Sequence, residues 1–510
     1  MKRIASILFG KLTLGVLAIF LQFFWIVYTL YGVTFANSAI NVVFELVALF
    51  LSLQIANKEM RTSYKMSWIF LILFLPVFGI TAYFLFGRAE ITKRTRKKMV
   101  EVSNRFLPMR KEEEQVKKDI YSEDTYVGMQ SDYITNYAGY PLYYNETSKY
   151  YGDIKELWYQ LLQDLKEAKN YIFLEYFIIE EGKMFNEILA ILEQKAKEGV
   201  LVRLIYDDMG CITTVSSNFD RMMRQKGIQC ARFNPFRPML SIIMNNRDHR
   251  KITVIDGKVA YTGGFNLADE YINEVERYGH WKDSGLRMTG EGVWNFVTMF
   301  LEMWDYITKE NEDCEIYRYR KEEHQAPAKG CIQPYGDSPM DHEDVGETVY
   351  LNMITHARKE ILIFTPYLIL GTEMIKALVN AAKSGVDVKI VVPGIPDKKM
   401  VYMLTKANFA PLLRGGVKIY RYLPGFLHSK CFVVDDELAV VGTINLDYRS
   451  LFLHFECGVF LYRTTSVAEV KEDMCQTLAA CRQVSLEETK ENRFFVRLFH
   501  GALKLLAPLM

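Results

Sequence analysis

"HRKITVIDGKVAYTGGFN" runs from His249 to Asn266, and "HSKCFVVDDELAVVGTIN" runs from His428 to Asn445. Both follow one pattern: His-x-Lys, an Asp, then Gly-Gly-x-Asn or Gly-Thr-x-Asn. The β-branched run Ile252, Thr253, Val254, Ile255 predicts a strand. Side chains two apart on a strand share a face, so His249 and Lys251 point the same way, as do His428 and Lys430. Asp256-Gly257 is a two-residue hairpin signal, after which a second strand returns to Gly263. The small residues at 263, 264, 442 and 443 let the backbone approach a ligand, with Asn266 and Asn445 donating to its oxygens. Two imidazoles, two ammonium groups and two amides around one anion suit phosphodiester chemistry.

A single His-x-Lys is more often a packed His beside a solvated Lys. Two copies matching at five positions with the same spacing favour function, although a hairpin turn alone explains Asp256 and Asp435. Repetition extends outward. "YIFLEYFII" from Tyr171 resembles "EILIFTPYLI" from Glu360, "KEGVLVRLIYDD" from Lys197 resembles "KSGVDVKIVVPG" from Lys383, and "KGIQCARFNP" from Lys226 resembles "RGGVKIYRYLP" from Arg414. Each half therefore predicts strand, helix, strand, helix, strand, then the motif hairpin. The first copy carries an extra apolar stretch, "FRPMLSIIMNN", placed to cover the site or touch lipid. After each hairpin comes an acid-x-Gly, Asp283-Ser284-Gly285 and Glu456-Cys457-Gly458. Either carboxylate can bond the far nitrogen of the nearby His, fixing its tautomer.

Both copies match the HxKx4Dx6G[GST]xN signature of the phospholipase D superfamily. "CIQPYGDSPMDHEDVGETVYLNMI", "TPYLI", "PGFLHSK" and "GTINLDYRSLFLHFE" resemble the bacterial cardiolipin synthases over nearly the whole chain after about residue 66. The resemblance implies an α/β fold of two phospholipase D-like domains with pseudo-two-fold symmetry, an active site between them, and neither metal nor cofactor. It implies phosphatidyl transfer between two phosphatidylglycerol molecules, giving cardiolipin and glycerol. It also implies His249 as nucleophile and His428 as acid and base; the motifs alone are too alike to decide this. Lys251, Lys430, Asp256 and Asp435 complete the expected catalytic set. The competing readings are a phospholipase D hydrolase, a phosphatidylserine-type transferase, and a nuclease or binding module with a degenerate site. Intact motifs in both halves argue against degeneracy.

The N-terminus points to lipid independently. Leu12 to Phe44 carries no charge, Leu46 to Asn57 extends the apolar run past Glu45, and Met66 to Gly87 is a third uncharged stretch. About 20 such residues cross a bilayer, so the expected spans are 12–33, 38–56 and 66–87. Lys58, Arg61 and Lys65 precede the third span, and the larger cluster Arg88, Lys93, Arg94, Arg96, Lys97 and Lys98 follows it, which places the catalytic part on the cytoplasmic face. Eight scattered cysteines with no CxxC agree with a reducing compartment.

The 510 residues divide on this reading into a transmembrane region 1–87, a charged connector 88–145, a first domain 146–310, a linker 311–344, a second domain 345–490 and an amphipathic C-terminal helix 491–510. In that helix Arg493, Arg497, His500 and Lys504 line one face. A net charge of +1 gives no general attraction to nucleic acid, so the expected partners are phosphatidylglycerol, cardiolipin and the bilayer. Oligomeric state has no signature here.

Overall fold

A computed structural model describes residues 17, 19–24, 35–58, 61–87, 93–111, 113–235, 246–319, 329–341, 343–490 and 501–505. The expected span 12–33, the apolar loop Phe236–Met244 and the C-terminal helix 491–510 lie wholly or mostly outside them. The described residues form two compact units, one drawn from 1–95 and 501–505, the other from 96–235 and 246–490.

In the smaller unit, a 22-residue helix Phe35–Ala56 is followed by Thr62–Phe74, Pro76–Ala82 and a π-turn Tyr83–Gly87. The third expected span is thus broken. Pro76 lacks an N–H and forces Leu75 out of the helical region, to φ −129 and ψ 72. Ala48, Ile55, Trp68, Ile72, Ala82 and Tyr83 form a small core. Outside it, Val42, Val43, Leu46, Leu49, Phe50 and Leu53 are 50% or more exposed. Among the described residues, no helix is both long and apolar enough to cross a membrane.

The larger unit holds two sheets built to one plan. The seven-stranded sheet runs Thr147–Tyr151, Gly285–Thr289, Val259–Gly263, Lys251–Ile255, Tyr171–Tyr176, Leu201–Asp207, Gln229–Phe233. The nine-stranded sheet repeats that order with Cys331–Asp337, Glu456–Tyr462, Leu438–Gly442, Cys431–Val434, Glu360–Phe364, Asp387–Pro393 and Lys418–Tyr422, adding Tyr143–Tyr144 and Cys481–Gln483 at its edges. In each, three parallel strands joined by helices meet an antiparallel motif hairpin. The strand-helix order expected from the repeats is therefore observed in both halves. Strands buried on both faces need apolar side chains throughout, as in Leu438–Gly442, where every residue is buried.

Two stretches carry more structure than their composition suggests. The region 88–145 contains helices Lys93–Phe106, Glu114–Glu123 and Thr125–Tyr133, and 311–344 supplies the strand Cys331–Asp337. The repeats are interlocked. The Tyr150 amide donates to Glu469 at 2.8 Å, tying the first sheet's edge strand to the helix Thr465–Leu478 of the second repeat. The sheets abut where Val259–Gly263 and Gly285–Thr289 meet Leu438–Gly442.

Candidate active site

Each hairpin turns through two residues of positive φ, Asp256 (52°) and Gly257 (64°) in one, Asp435 (53°) and Asp436 (63°) in the other. Asp tolerates this conformation because its short side chain can bond nearby backbone. Ile255 pairs with Val259 and Val434 with Leu438, so each turn has three residues, one more than the Asp-Gly signal predicts. Asp256 accepts from the amides of Lys169, Asn170 and Tyr171 at 2.7–2.8 Å. Asp435 accepts from Arg358, Lys359 and Glu360 at 2.6–2.8 Å. The two aspartates stand at the turn end of their strands, and Lys251 and Lys430 at the other, so the structure does not bring the aspartates to the His-Lys groups. They anchor the start of the neighbouring strand instead.

His249, Lys251, His428 and Lys430 are brought together, all 8% exposed or less. The acids expected to orient each His do so across the repeats. His249 Nδ1 lies 2.9 and 3.0 Å from the two oxygens of Glu456, and His428 Nδ1 lies 2.7 Å from Asp283 Oδ2. The pairing is therefore not with the acid following the same hairpin. Backbone contacts enforce the exchange. The His249 amide donates to Phe455 O and the Phe455 amide to Arg247 O, while Gly425–Leu427 pairs with His280–Lys282 and the His428 amide donates to Lys282 O.

The glycines serve this junction. A Cβ on Gly264 would lie 2.1 Å from Asp283 Oδ1 and 3.1 Å from the His428 carbonyl oxygen. In the second repeat Thr443 takes that place, and its hydroxyl donates to Glu456, as does Ser450. So residue 264 is small because the crossed pair of Asp283 and His428 passes against it.

The two pairs differ in charge. Burial pushes His249 well below the usual imidazole range, reinforced by Lys251, His454, Lys430 and His428. Burial likewise holds Glu456 well above the carboxylate range despite Lys251. His428 is lowered by burial and Lys430 to about 4, with Asp283 opposing. Asp283 itself falls below its ordinary value, because His428 and Lys430 together outweigh its burial. The same burial lowers Lys251 to about 8 and Lys430 to about 7, and each Nζ donates to its own His carbonyl. Loss of water favours the uncharged form of every base here.

Asn266 accepts from the Ile178 amide at 3.0 Å and donates to Tyr271 Oη at 2.6 Å. The Asn445 backbone N–H donates to Ser450 Oγ at 2.8 Å, and its side-chain Oδ1 is buried with no hydrogen-bond partner among the described residues. On either side of His249 in the chain, Arg250 pairs with Glu175 at 2.8 Å and Asp248 at 3.1 Å, and Arg247 pairs with Asp207 at 3.2 Å. Those ion pairs escaped the sequence reading. So did His454, whose ring centroid lies 5.6 Å from that of His249. Aligning "HWKDSG" (280–285) with "LHFECG" (453–458) sets it opposite Trp281, which lies 5.4 Å from His428. Ligand atoms of His249, His454 and Glu456 lie within 4.8 Å of one another, a trio able to hold a metal ion, although the field of Lys251 and the nearby arginines opposes a cation.

Two interlocked α/β repeats, each lending a buried His-Lys pair to one centre, define a phospholipase D-type phosphatidyltransferase. The family model described as "Cardiolipin synthase, PLD-like domain" matches residues 161–277 and 350–478, and one described as "Phospholipase_D-nuclease N-terminal" matches 46–88. A cardiolipin synthase of Alkalihalophilus pseudofirmus is 34% identical over 98% of this chain and 100% of its own. One of Staphylococcus aureus is 32% identical over 92% of this chain and 95% of its own. The crystal structure of phosphatidylserine synthase from Haemophilus influenzae shares the fold, with a TM-score of 0.58 at 17% identity, covering 74% of this chain and 98% of that one. The chain belongs to the cardiolipin synthase family.

Proposed function

We propose that the protein makes cardiolipin and glycerol from two phosphatidylglycerol molecules through a phosphatidyl-histidine intermediate. The observation that carries this is the crossed pairing, in which each buried imidazole is held by the other repeat's carboxyl group, so that neither half is complete alone. His249 Nε2 attacks phosphorus, the P–O bond to glycerol breaks, and His428, which takes up a proton as the phosphodiester anion enters and offsets the neighbouring lysines, gives that proton to the departing oxygen. His428 then takes the proton from the primary hydroxyl of the second phosphatidylglycerol as that oxygen displaces His249. The difference between the carboxyl partners supports the assignment: burial holds Glu456 beside His249 well above the carboxylate range, whereas the lowered Asp283 beside His428 stabilises the imidazolium that proton transfer needs. Lys251 and Lys430 regain full charge as an anion arrives and neutralise the phosphoryl oxygens.

The exposed apolar side chains of Phe35–Ala56 support seating in the bilayer. The multi-pass arrangement with a cytoplasmic catalytic part belongs to the same proposal. A membrane-impermeant thiol reagent should leave the cysteines of intact cells unlabelled while reaching Cys475, which is exposed, once cells are opened.

Purified protein given phosphatidylglycerol alone should release glycerol and form cardiolipin without a CDP-lipid, and added glycerol should drive the reaction back. Phosphatidic acid as the main product would move the chain to the hydrolases, and an absolute need for CDP-diacylglycerol would refute the mechanism.

A further inference from the structure

His454 sits beside the proposed nucleophile without a hydrogen-bond partner among the described residues. Its side chain is 11% exposed, and both ring nitrogens are buried with no described group in hydrogen-bond reach. Its nearest carboxylate contact, Glu456 Oε1, lies 3.9 Å from Nδ1. A buried donor left unmet costs about 1–3 kcal/mol, so such a group next to a catalytic His calls for an occupant. The backbone that carries the ring is firmly placed: the His454 amide donates to Arg449 O at 3.0 Å, and the next residue is pinned between Arg247 and His249.

The pseudo-symmetry shows what this corner lacks. Around His428 the wall is aromatic, with Trp281, Tyr271 and Phe426 at 5.4–5.6 Å between ring centroids. At the positions equivalent to Trp281 and Tyr271, the second repeat carries His454 and Ser450. Beside His249 these two positions are polar, while Phe177 keeps one aromatic ring 4.9 Å from it between centroids. The surrounding charge selects the occupant's sign. Burial first, and then Arg449, Lys251, Arg247 and Lys398, keep His454 from taking a proton, and the positive field of those four favours an anion over a divalent cation.

We propose that His454 is a third substrate-contacting imidazole, donating a ring N–H to an unesterified oxygen of the phosphodiester held between His249 and His428. This rests on the phosphoryl-transfer reading above. As a neutral ring it supplies a donor without another charge to desolvate, adding to Lys251 and Lys430 where negative charge builds up.

Two variants separate donation from packing. His454→Asn keeps an N–H and loses bulk, whereas His454→Phe keeps the ring and loses both nitrogens. Removal of one such donor typically costs about 100-fold in kcat, so His454→Phe should fall by about that factor and His454→Asn by much less. Calorimetric titration with inorganic phosphate should give a Kd raised about 10-fold in His454→Phe, on the order of one neutral hydrogen bond, and little changed in His454→Asn. Should His454→Phe fail to fold, His454→Leu carries the same expectation. Wild-type kcat and phosphate affinity in the apolar variant, or equal loss in both variants, would overturn the proposal. The phosphate titration needs no turnover, so absence of cardiolipin synthesis by the wild-type protein would sink the proposed function and leave this test standing.

Discussion

Gly264→Ala adds one methyl group at the point where the repeats cross. The new Cβ would lie 2.1 Å from Asp283 Oδ1, against an ordinary contact of roughly 3.5 Å, so the carboxylate must retreat by more than about 1 Å. Rotation offers no escape, because Oδ1 is tied to the Ser284 amide at 2.8 Å while Oδ2 holds His428 at 2.7 Å. One of those bonds breaks. A hydrogen bond to a charged group is worth about 1.5–3 kcal/mol, which corresponds to about 10- to 150-fold at about 1.4 kcal/mol per decade. Loss of the His428 bond should therefore lower kcat by that range, measured as glycerol release from phosphatidylglycerol in mixed micelles. The backbone at 264 is not in the left-handed region, so the substitution carries no conformational strain to explain a fall. Wild-type kcat in a variant that melts normally would refute the argument that residue 264 is small for the sake of the Asp283-His428 pair.

His249→Ala and His428→Ala should each abolish synthesis, with the double variant little worse, because groups acting as one unit are non-additive; appreciable turnover by either single variant would separate the halves. Asp256→Ala should lower thermal stability, by roughly 1–3 kcal/mol for three backbone amides left without their acceptor, and leave kcat within about twofold; a collapse of kcat in a stable variant would return Asp256 to the catalytic set. His428 has its folded-state pKa lowered from 6.5 to about 4, so the unfolded chain binds a proton that the folded one refuses. Its contribution to stability is present above about pH 6.5 and lost as pH falls towards 4, by about 3 kcal/mol at roughly 1.4 kcal/mol per unit. Urea unfolding of wild type and His428→Gln across that window should converge as pH falls, and parallel curves would contradict it.

Much of the protein is legible in the chain because it is encoded locally. The β-branched run Ile252–Ile255 and the repeated strand-helix order depend on residues a few positions apart and are observed, as is the Asp at each turn, although each turn is one residue longer than Asp-Gly predicts. The motif itself marks His249, Lys251, His428 and Lys430 by the same short-range logic. The break at Pro76 was equally local, and apolar length alone concealed it.

Tertiary structure decided which acid serves which His. Glu456 is 207 residues from His249 and Asp283 is 145 from His428, and nothing in the spacing of either repeat says that the partners exchange. Asp256 and Asp435 show the converse, since matching positions in a motif record a shared need without saying whether it is chemical or structural; only the amides of 169–171 and 358–360 closing on them reveal that they hold strands. His454 was invisible because its significance lies in what surrounds it, a ring beside His249 with no hydrogen-bond partner among the described residues. Sequence determines strands, turns and repeats because those energies are summed over neighbours along the chain. The burial that strips charge from the imidazoles and lysines arises from contacts between distant segments, so it exists only once the two repeats close on each other.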